Sequence, residues 1–245
     1  MSQLAPLRIA MWSGPRNIST AMMRAWENRP DTVVVDEPFY AHFLEQTRAD
    51  HPGADEVIAH GETHWQTVVA QLTGNVPGGK RIFYQKQMTH HLLPEISREW
   101  LASVTNCFLI RDPRDVIASY TKKNHEPKLE DLGFVEQAEI FDLVRAHPGA
   151  IPPVIDAHDV LENPARILSL LCEAVGVEFT PAMLSWPRGL RASDGIWAKH
   201  WYAEVESSTG FRKPTERHED VPRQLQPVYA AARELYERLF AHRLH

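Results

Sequence analysis

The sequence predicts a single three-layer α/β/α domain with a parallel central sheet, spanning all 245 residues. Short apolar runs recur along it, as in Ile9 to Trp12, Val33 to Val35 and Cys107 to Ile110. Runs of this kind mark strands buried on both faces. Segments with helical apolar spacing separate them, the alternation of a parallel sheet covered on both sides. The chain is long enough for one sizeable core and contains no internal repeat and no low-complexity segment.

The elements follow in order. Leu7 to Ser13 reads as a first strand, then a loop Gly14-Pro15-Arg16-Asn17-Ile18, then a helix from Ser19 to about Asn28. Asp31 to Asp36 is a second strand, and Phe39 to Thr47 a helix with one apolar side. Residues 49 to 61, with His51-Pro52-Gly53, read as a loop before a helix at about 62 to 72. After a turn cluster at 75 to 79, Arg81 to Lys86 is the third strand. Residues 94 to 101 are expected to be helical, and Thr105 to Ile110 is the fourth strand. Asp112-Pro113 then provides an N-cap acceptor and a first-turn proline for a helix to about Lys123. A helix at 133 to 146, a fifth strand at 153 to 156 and a helix at 164 to 175 complete the alternation. The last helix spans about 223 to 241. Residues 186 to 220 are polar, rich in Trp, Arg and Gly, and weakly periodic, and are expected to form a lid over substrate and cofactor.

Composition narrows the function classes. The formal net charge of −6 excludes a broadly basic nucleic-acid binder, so a polyanionic ligand needs a local cationic cluster. Cys107 and Cys172 lie in apolar segments and read as two buried thiols, not as a disulfide frame or a metal site. The chain runs directly into a strand, and no stretch approaches the ~20 apolar residues of a membrane span. A cytoplasmic location is the resulting expectation.

Two segments carry chemistry. A strand, a short glycine-containing loop and a helix beginning Ser19-Thr20 form a cradle for an anion. The backbone N–H groups at the helix start have no intrahelical partner, and Arg16, Asn17, Ser19 and Thr20 supplement them. Arg111 stands at the end of the fourth strand, with Ser119 two turns along the next helix, where a guanidinium and a hydroxyl reach one anion. Each residue also has a plain structural reading. Arg16 suits a loop surface, Ser19 and Thr20 suit helix caps, and Arg111 suits a pair with Asp115.

Together these segments resemble the sulfotransferase family, which uses 3′-phosphoadenosine 5′-phosphosulfate (PAPS) as co-substrate. Gly14 to Thr20 resembles its 5′-phosphosulfate loop, and Arg111 to Ser119 its 3′-phosphate motif. Val154 to Phe179, with Asn163-Pro164, a Leu-rich helix and Val175-Gly176-Val177, is similar to a third family segment. The resemblance spans roughly residues 7 to 213 in the family's order. It implies a P-loop NTPase-like fold, transfer of a sulfuryl group to a hydroxyl or amine of a small-molecule or carbohydrate acceptor, and no metal requirement. By this resemblance Arg16 stabilises the leaving oxygen. Glu37, in Glu37-Pro38-Phe39-Tyr40, matches a segment whose Glu is a proposed base. Lys86 to Pro94 is similar to a Lys-Thr-His-Leu-Pro segment. There the Lys touches the transferring group and the His is the base, which leaves His90 and His91 as rivals to Glu37. Arg212 and Lys213 match a loop that closes over the 3′-phosphate. Ile18 stands where the family has Gly, and a β-branched residue disfavours positive φ, so the loop is expected to take a different course. Trp12, Trp186, Trp197 and Trp201 are candidates for stacking on a ligand or for plain core.

Two other readings stay open. A P-loop kinase or NTPase would need Gly and Lys where Ser19 and Thr20 stand. A non-catalytic nucleotide-binding protein of the same fold would keep the cradle without the chemistry.

Overall fold

The computed structural model describes residues 5–122, 126–214 and 220–245. Five strands form one parallel sheet: β1 (Leu7–Ser13), β2 (Thr32–Asp36), β3 (Ile82–Met88), β4 (Thr105–Ile110) and β5 (Val154–Asp156), in the order β2-β3-β1-β4-β5. The helices between them are α1 (Ser19–Glu27), α2 (Tyr40–Thr47), α3 (Ala54–His60), α4 (Trp65–Thr73), α5 (Pro113–Tyr120) and α6 (Phe134–Arg145). After β5 come α7 (Ala157–Glu162), α8 (Pro164–Ala174), the short α9 (Ala198–Trp201) and α10 (Ala203–Glu206), and α11 (Gln226–Phe240).

Both sheet faces are buried, which is why the strands read as continuous apolar runs. Ile9, Met11, Cys107 and Leu109 pack on one face against α1, α7 and α8, through Met22, Trp26, Val160 and Leu168. Ala10, Trp12 and Phe108 point to the other face, against Leu72 of α4, Phe141 of α6 and Leu239 of α11. This is the expected three-layer α/β/α architecture. Cys107 and Cys172 are buried free thiols. Among the described residues no helix is long and apolar enough to cross a membrane.

β1 is the central strand, flanked by β3 and β4. The helix after β1 packs on one face, whereas α5, after β4, packs beside α11. Neighbouring strands whose helices leave towards opposite faces open a crevice beyond their carboxyl ends. The anion cradle expected from the sequence lies there.

Some elements differ from expectation. The segment read as a loop at 49 to 61 contains α3. Gly53, at φ 76°, turns the chain into it, and Val57 buries against Ala41 and Leu44 of α2. Residues 94 to 101 do not form the expected helix, and a short 3-10 turn at Glu99–Ser103 replaces it. The Arg98 guanidinium donates to the carbonyls of Leu92, Leu93 and Ile96, so a side chain satisfies groups that a helical ladder would have used. β3 continues to Met88, two residues past its expected end. α5 stops at Tyr120, and its expected end at Lys123 lies outside the described residues.

Candidate active site

The cradle is fixed from several directions. Gly14 has no room for a side chain, since a Cβ there would lie 2.6 Å from the Leu132 carbonyl oxygen. Asn17 Nδ2 donates to the Leu109 carbonyl at 3.0 Å, tying the loop to β4, and its Oδ1 accepts the Ile18 N–H at 2.8 Å. Gln137 of α6 donates to the carbonyls of Trp12 and Leu109 at 3.1 and 3.0 Å, bracing the same strand ends. Ile18 has φ −89°, so its β-branched side chain is unstrained, and the left-handed position falls on Arg16 instead, at φ 55°.

Ser19 and Thr20 occupy the first two positions of α1. The N-cap is Ile18, without a side-chain capping bond, which corrects the reading of either hydroxyl as the cap. The N–H groups of the first turn are left for another acceptor.

Arg16, Arg111 and Ser119 come together. Arg16 Nε donates to Ser119 Oγ at 3.0 Å, and Arg111 Nη1 donates to the Arg16 carbonyl at 2.8 Å. Arg111 Nη2 also lies 3.6 Å from Asp115, the structural pairing foreseen as its alternative role. Asp112 caps α5 as expected, accepting the Arg114 N–H at 2.7 Å. A small cavity beside this group is lined by Gly14, Asn17, Arg111, Val116, Phe134 and Gln137.

A second cluster stands at the ends of β2 and β3. The register sets Asp36 beside Lys86, so both side chains project from the same face. Lys86 is 1% exposed. Its ammonium donates to Asp36 Oδ1 at 2.8 Å, Glu37 Oε1 at 2.6 Å and Tyr202 Oη at 2.6 Å, which uses all three protons. Tyr202 Oη in turn donates to Asp36 Oδ2 at 2.6 Å. Glu37 sits just past β2 at φ 41°, its N–H still bonded to the Lys86 carbonyl at 3.0 Å. That turn leaves the Glu37 side chain 12% exposed while Asp36 and Lys86 are sealed.

Burial raises the pKa of Glu37 above the ordinary carboxylate value, with Lys86 opposing and Asp36 reinforcing the rise. Burial works against the Lys86 ammonium, but Asp36, Glu37 and Tyr202 hold its pKa well above the usual lysine value. His91 Nδ1 lies 3.9 Å from Glu37 Oε2 and has no hydrogen-bond partner among the described residues. Its ring stacks on Tyr40 at 4.7 Å, and burial followed by His90 keeps its pKa well below the imidazole value. Burial likewise lowers His90, to about 4.

The structure thus brings Gly14, Asn17, Arg16, Ser19, Thr20, Arg111 and Ser119 to one crevice, and Glu37, Lys86 and His91 to the neighbouring strand ends. Arg212 and Lys213 are exposed, beyond Phe211, which packs edge-on against Trp186 at 5.1 Å. Among the described residues neither joins the hydrogen-bonded group of Arg16, Arg111 and Ser119. Trp12 and Trp186 are buried core residues, their indole N–H groups donating to Asn106 and Ser208. Trp197 and Trp201 are half-buried beside Tyr40 and His51. The sequence reading missed Asp36 and Tyr202. Asp36 was visible as an acid ending an apolar run, whereas Tyr202 carried no local signal.

Comparison with known proteins agrees with this architecture. The chain resembles the sulfotransferase domain from the curacin biosynthetic pathway with a TM-score of 0.57 at 17% identity, covering 94% of this chain and 98% of that one. It resembles the sulfotransferase domain of the Synechococcus PCC 7002 olefin synthase with a TM-score of 0.57 at 16% identity, covering 100% and 98%. The Alicyclobacillus acidocaldarius sulfotransferase gives a TM-score of 0.57 at 11% identity, covering 99% and 98%. At these identities the likeness shows the fold. Two longer Arabidopsis thaliana proteins match in sequence. Branched-chain-amino-acid aminotransferase-like protein 1 is 34% identical over 241 residues, 98% of this chain and 43% of that protein. Branched-chain-amino-acid aminotransferase-like protein 2 is 33% identical over 229 residues, 90% and 40%. The chain therefore spans less than half the length of these curated relatives. The family described as "Sulfotransferase domain" matches residues 7–242, and with the parallel sheet and its strand-end crevice this makes the chain a member of the sulfotransferase-domain family.

Proposed function

We propose that the chain transfers a sulfuryl group from PAPS to a hydroxyl or amine of a small-molecule or carbohydrate acceptor. The observation that carries this reading is the convergence of Arg16, Arg111 and Ser119 over the ends of β1 and β4. Two guanidinium groups, a hydroxyl and the open first turn of α1 suit a ligand with anionic groups at two positions. Gly14, where a Cβ has no space, keeps backbone at the floor of the cradle.

In this reading the bound donor supplies the sulfuryl group and a phosphate leaving oxygen. Arg111 and Ser119 hold the 3′-phosphate. Arg16, Asn17, Ser19 and Thr20 hold the 5′ side, and the Arg16 guanidinium stabilises charge growing on the leaving oxygen. Glu37 Oε2, the carboxylate oxygen not bonded to Lys86, takes the acceptor's proton. A bond forms from the acceptor oxygen or nitrogen to sulfur, the bond from sulfur to the leaving oxygen breaks, and the proton stays on Glu37. Its raised pKa suits that task. Lys86 holds Glu37 in place and is closed off from the cradle by its three partners. His91, neutral and buried, is the rival base. In this reading the lid expected at 186 to 220, part of which (215–219) lies outside the described residues, closes over the bound donor, with Arg212 and Lys213 in it. The chain acts in the cytoplasm.

Calorimetry with adenosine 3′,5′-bisphosphate and with ATP, followed by transfer from labelled PAPS to an acceptor panel, tests the reading. Hydroxyl and amine acceptors both belong in the panel. Tight binding of the bisphosphate with transfer to one acceptor class is expected. Preference for ATP would instead favour a kinase or NTPase, and binding without transfer a non-catalytic protein.

A further inference from the structure

Residues 191–202 are fastened to the site by buried contacts. Asp194 accepts from the Arg24 guanidinium at 2.6 Å, and neither side chain is more than 3% exposed. Arg191 Nη1 and Ser193 Oγ both donate to the Glu27 carboxylate, at 2.7 and 2.5 Å. Glu27 and Arg24 belong to α1, the helix that begins in the cradle. From that anchor the strap crosses to β2, where the Gly195 N–H donates to Asp36 Oδ2 at 3.1 Å. It ends at Tyr202, between α9 and α10, with its phenol 4% exposed and seated among charges. Tyr202 Oη accepts from Lys86 at 2.6 Å, donates to Asp36 at 2.6 Å and accepts the Trp197 indole N–H at 3.3 Å.

We propose that Tyr202 is a positioning residue for Glu37, carried to the site by the 191–202 strap and acting through Lys86. The inference rests on the reading of Glu37 as the base. Lys86 has three protons and three acceptors, so its orientation is set by all three. Two of them, Asp36 and Tyr202, are themselves tied together, which makes a rigid triangle. Glu37 Oε1 hangs from the remaining proton, and Oε2 is left facing His91 and the acceptor side. Without the phenol, Asp36 loses a donor and draws Lys86 towards itself. Glu37 then loses its cation, while its burial and the Asp36 charge remain. The groups facing Glu37 are Asp36 from β2, Lys86 from β3, His91 from the turn after β3, Tyr40 from α2 and Tyr202 from the strap. Of these, Lys86 and the Tyr202 hydroxyl favour its ionised form. Loss of the hydroxyl therefore moves Glu37 ionisation to higher pH.

Tyr202→Phe keeps the ring that packs over the Lys86 ammonium at 4.9 Å and removes only the hydroxyl. With the full chain and adenosine 3′,5′-bisphosphate bound, the Glu37 carboxyl is titrated by carbon-13 NMR, with Glu37→Gln identifying the signal. Tyr202→Phe is expected to shift that titration to higher pH and to carry the acid limb of kcat with it. Turnover at neutral pH should fall about 10- to 100-fold, with bisphosphate affinity unchanged. Trp197→Phe, which removes the donor to Tyr202, should move the titration in the same direction by less. An unshifted Glu37 titration in Tyr202→Phe overturns the inference. A shifted titration beside an unshifted acid limb, with Glu37→Gln still active, upholds the coupling and overturns the reading of Glu37 as the base.

Discussion

At the ends of β1 and β4, Arg16, Arg111 and Ser119 are all half-buried beside a crevice, Arg16 donating to Ser119 and Arg111 to the Arg16 carbonyl, with Asp115 also near Arg111. At the ends of β2 and β3, Asp36, Lys86 and Tyr202 are sealed, and each is bonded to the other two. The first group is arranged to receive charge from outside. The second has already neutralised most of its own. A buried cation with two carboxylates carries one net negative charge, and only Glu37 reaches towards solvent with it. In the proposed reading the contrast separates binding from proton removal along a single sheet edge. The half-buried donors then meet an anionic ligand from the crevice, whereas Glu37 owes its raised pKa to burial.

The sharpest way to break this division is at Glu37. Glu37→Gln should abolish most transfer, by roughly 100- to 10,000-fold, with bisphosphate binding and melting temperature preserved. His91→Ala should cost far less, and the reverse ranking would move the base to the histidine pair. On the binding side, Arg16→Ala should lower turnover by about 100- to 1,000-fold and affinity by much less, because its charge matters most as the leaving oxygen develops. Equal losses in both would make Arg16 a ground-state anchor. Arg111→Ala should remove the preference for a 3′-phosphorylated ligand over adenosine 5′-phosphate, a loss of about 1.5–3 kcal/mol by calorimetry. An intact preference would dissolve the assignment of the second half of the cradle.

The smallest effect concerns the histidines behind the base. The unfolded chain protonates them near pH 6.5, whereas folding holds His90 down to about 4 and His91 lower than usual. Their contribution to stability is whole above about pH 6.5 and is lost as pH falls towards 4. Melting temperature should therefore drop from pH 7.5 to pH 5, and His90→Gln should drop less over the same interval. An identical drop would show that His90 is not held neutral.

The proposed binding half was legible because its residues are local in sequence. Gly14 to Thr20 is one turn of chain, and Arg111 and Ser119 lie on one strand end and the helix that follows. The catalytic half was legible only in part. Glu37 stood out as an acid after a strand, but the burial of Lys86 depends on β2 lying beside β3, a pairing that no local pattern specifies. Tyr202 meets Asp36 across 166 residues of sequence, from a segment with little periodicity, so its role emerged only from the folded chain. The same limit explains α3. Its helical run is short, and its single buried residue, Val57, packs in a cluster with Tyr40, Ala41 and Leu44 of α2, a contact that no local pattern specifies. Ile18 was informative in the opposite way. Its side chain argued against positive φ at that position, and in the fold Ile18 has φ −89° while Arg16 takes the left-handed position.

The central place of β1 bears on how the molecule assembles. Leu7 pairs with Ile82 on one side, and Ile9 with Thr105 on the other. As the ribosome extends the chain, β1 emerges with no neighbour to bond and must wait until β3 has been made, then longer for β4. Its ladder N–H and C=O groups spend that interval without a partner strand. Parallel pairing of this kind is slow because long loops must close before any ladder bond forms. The cradle needs the end of β4 beside that of β1, and the buried carboxylates need β3 beside β2, so neither is complete in a short nascent fragment. A release of the chain before β3 would leave β1 with no partner strand, and a release between β3 and β4 would leave one of its edges open to aggregation.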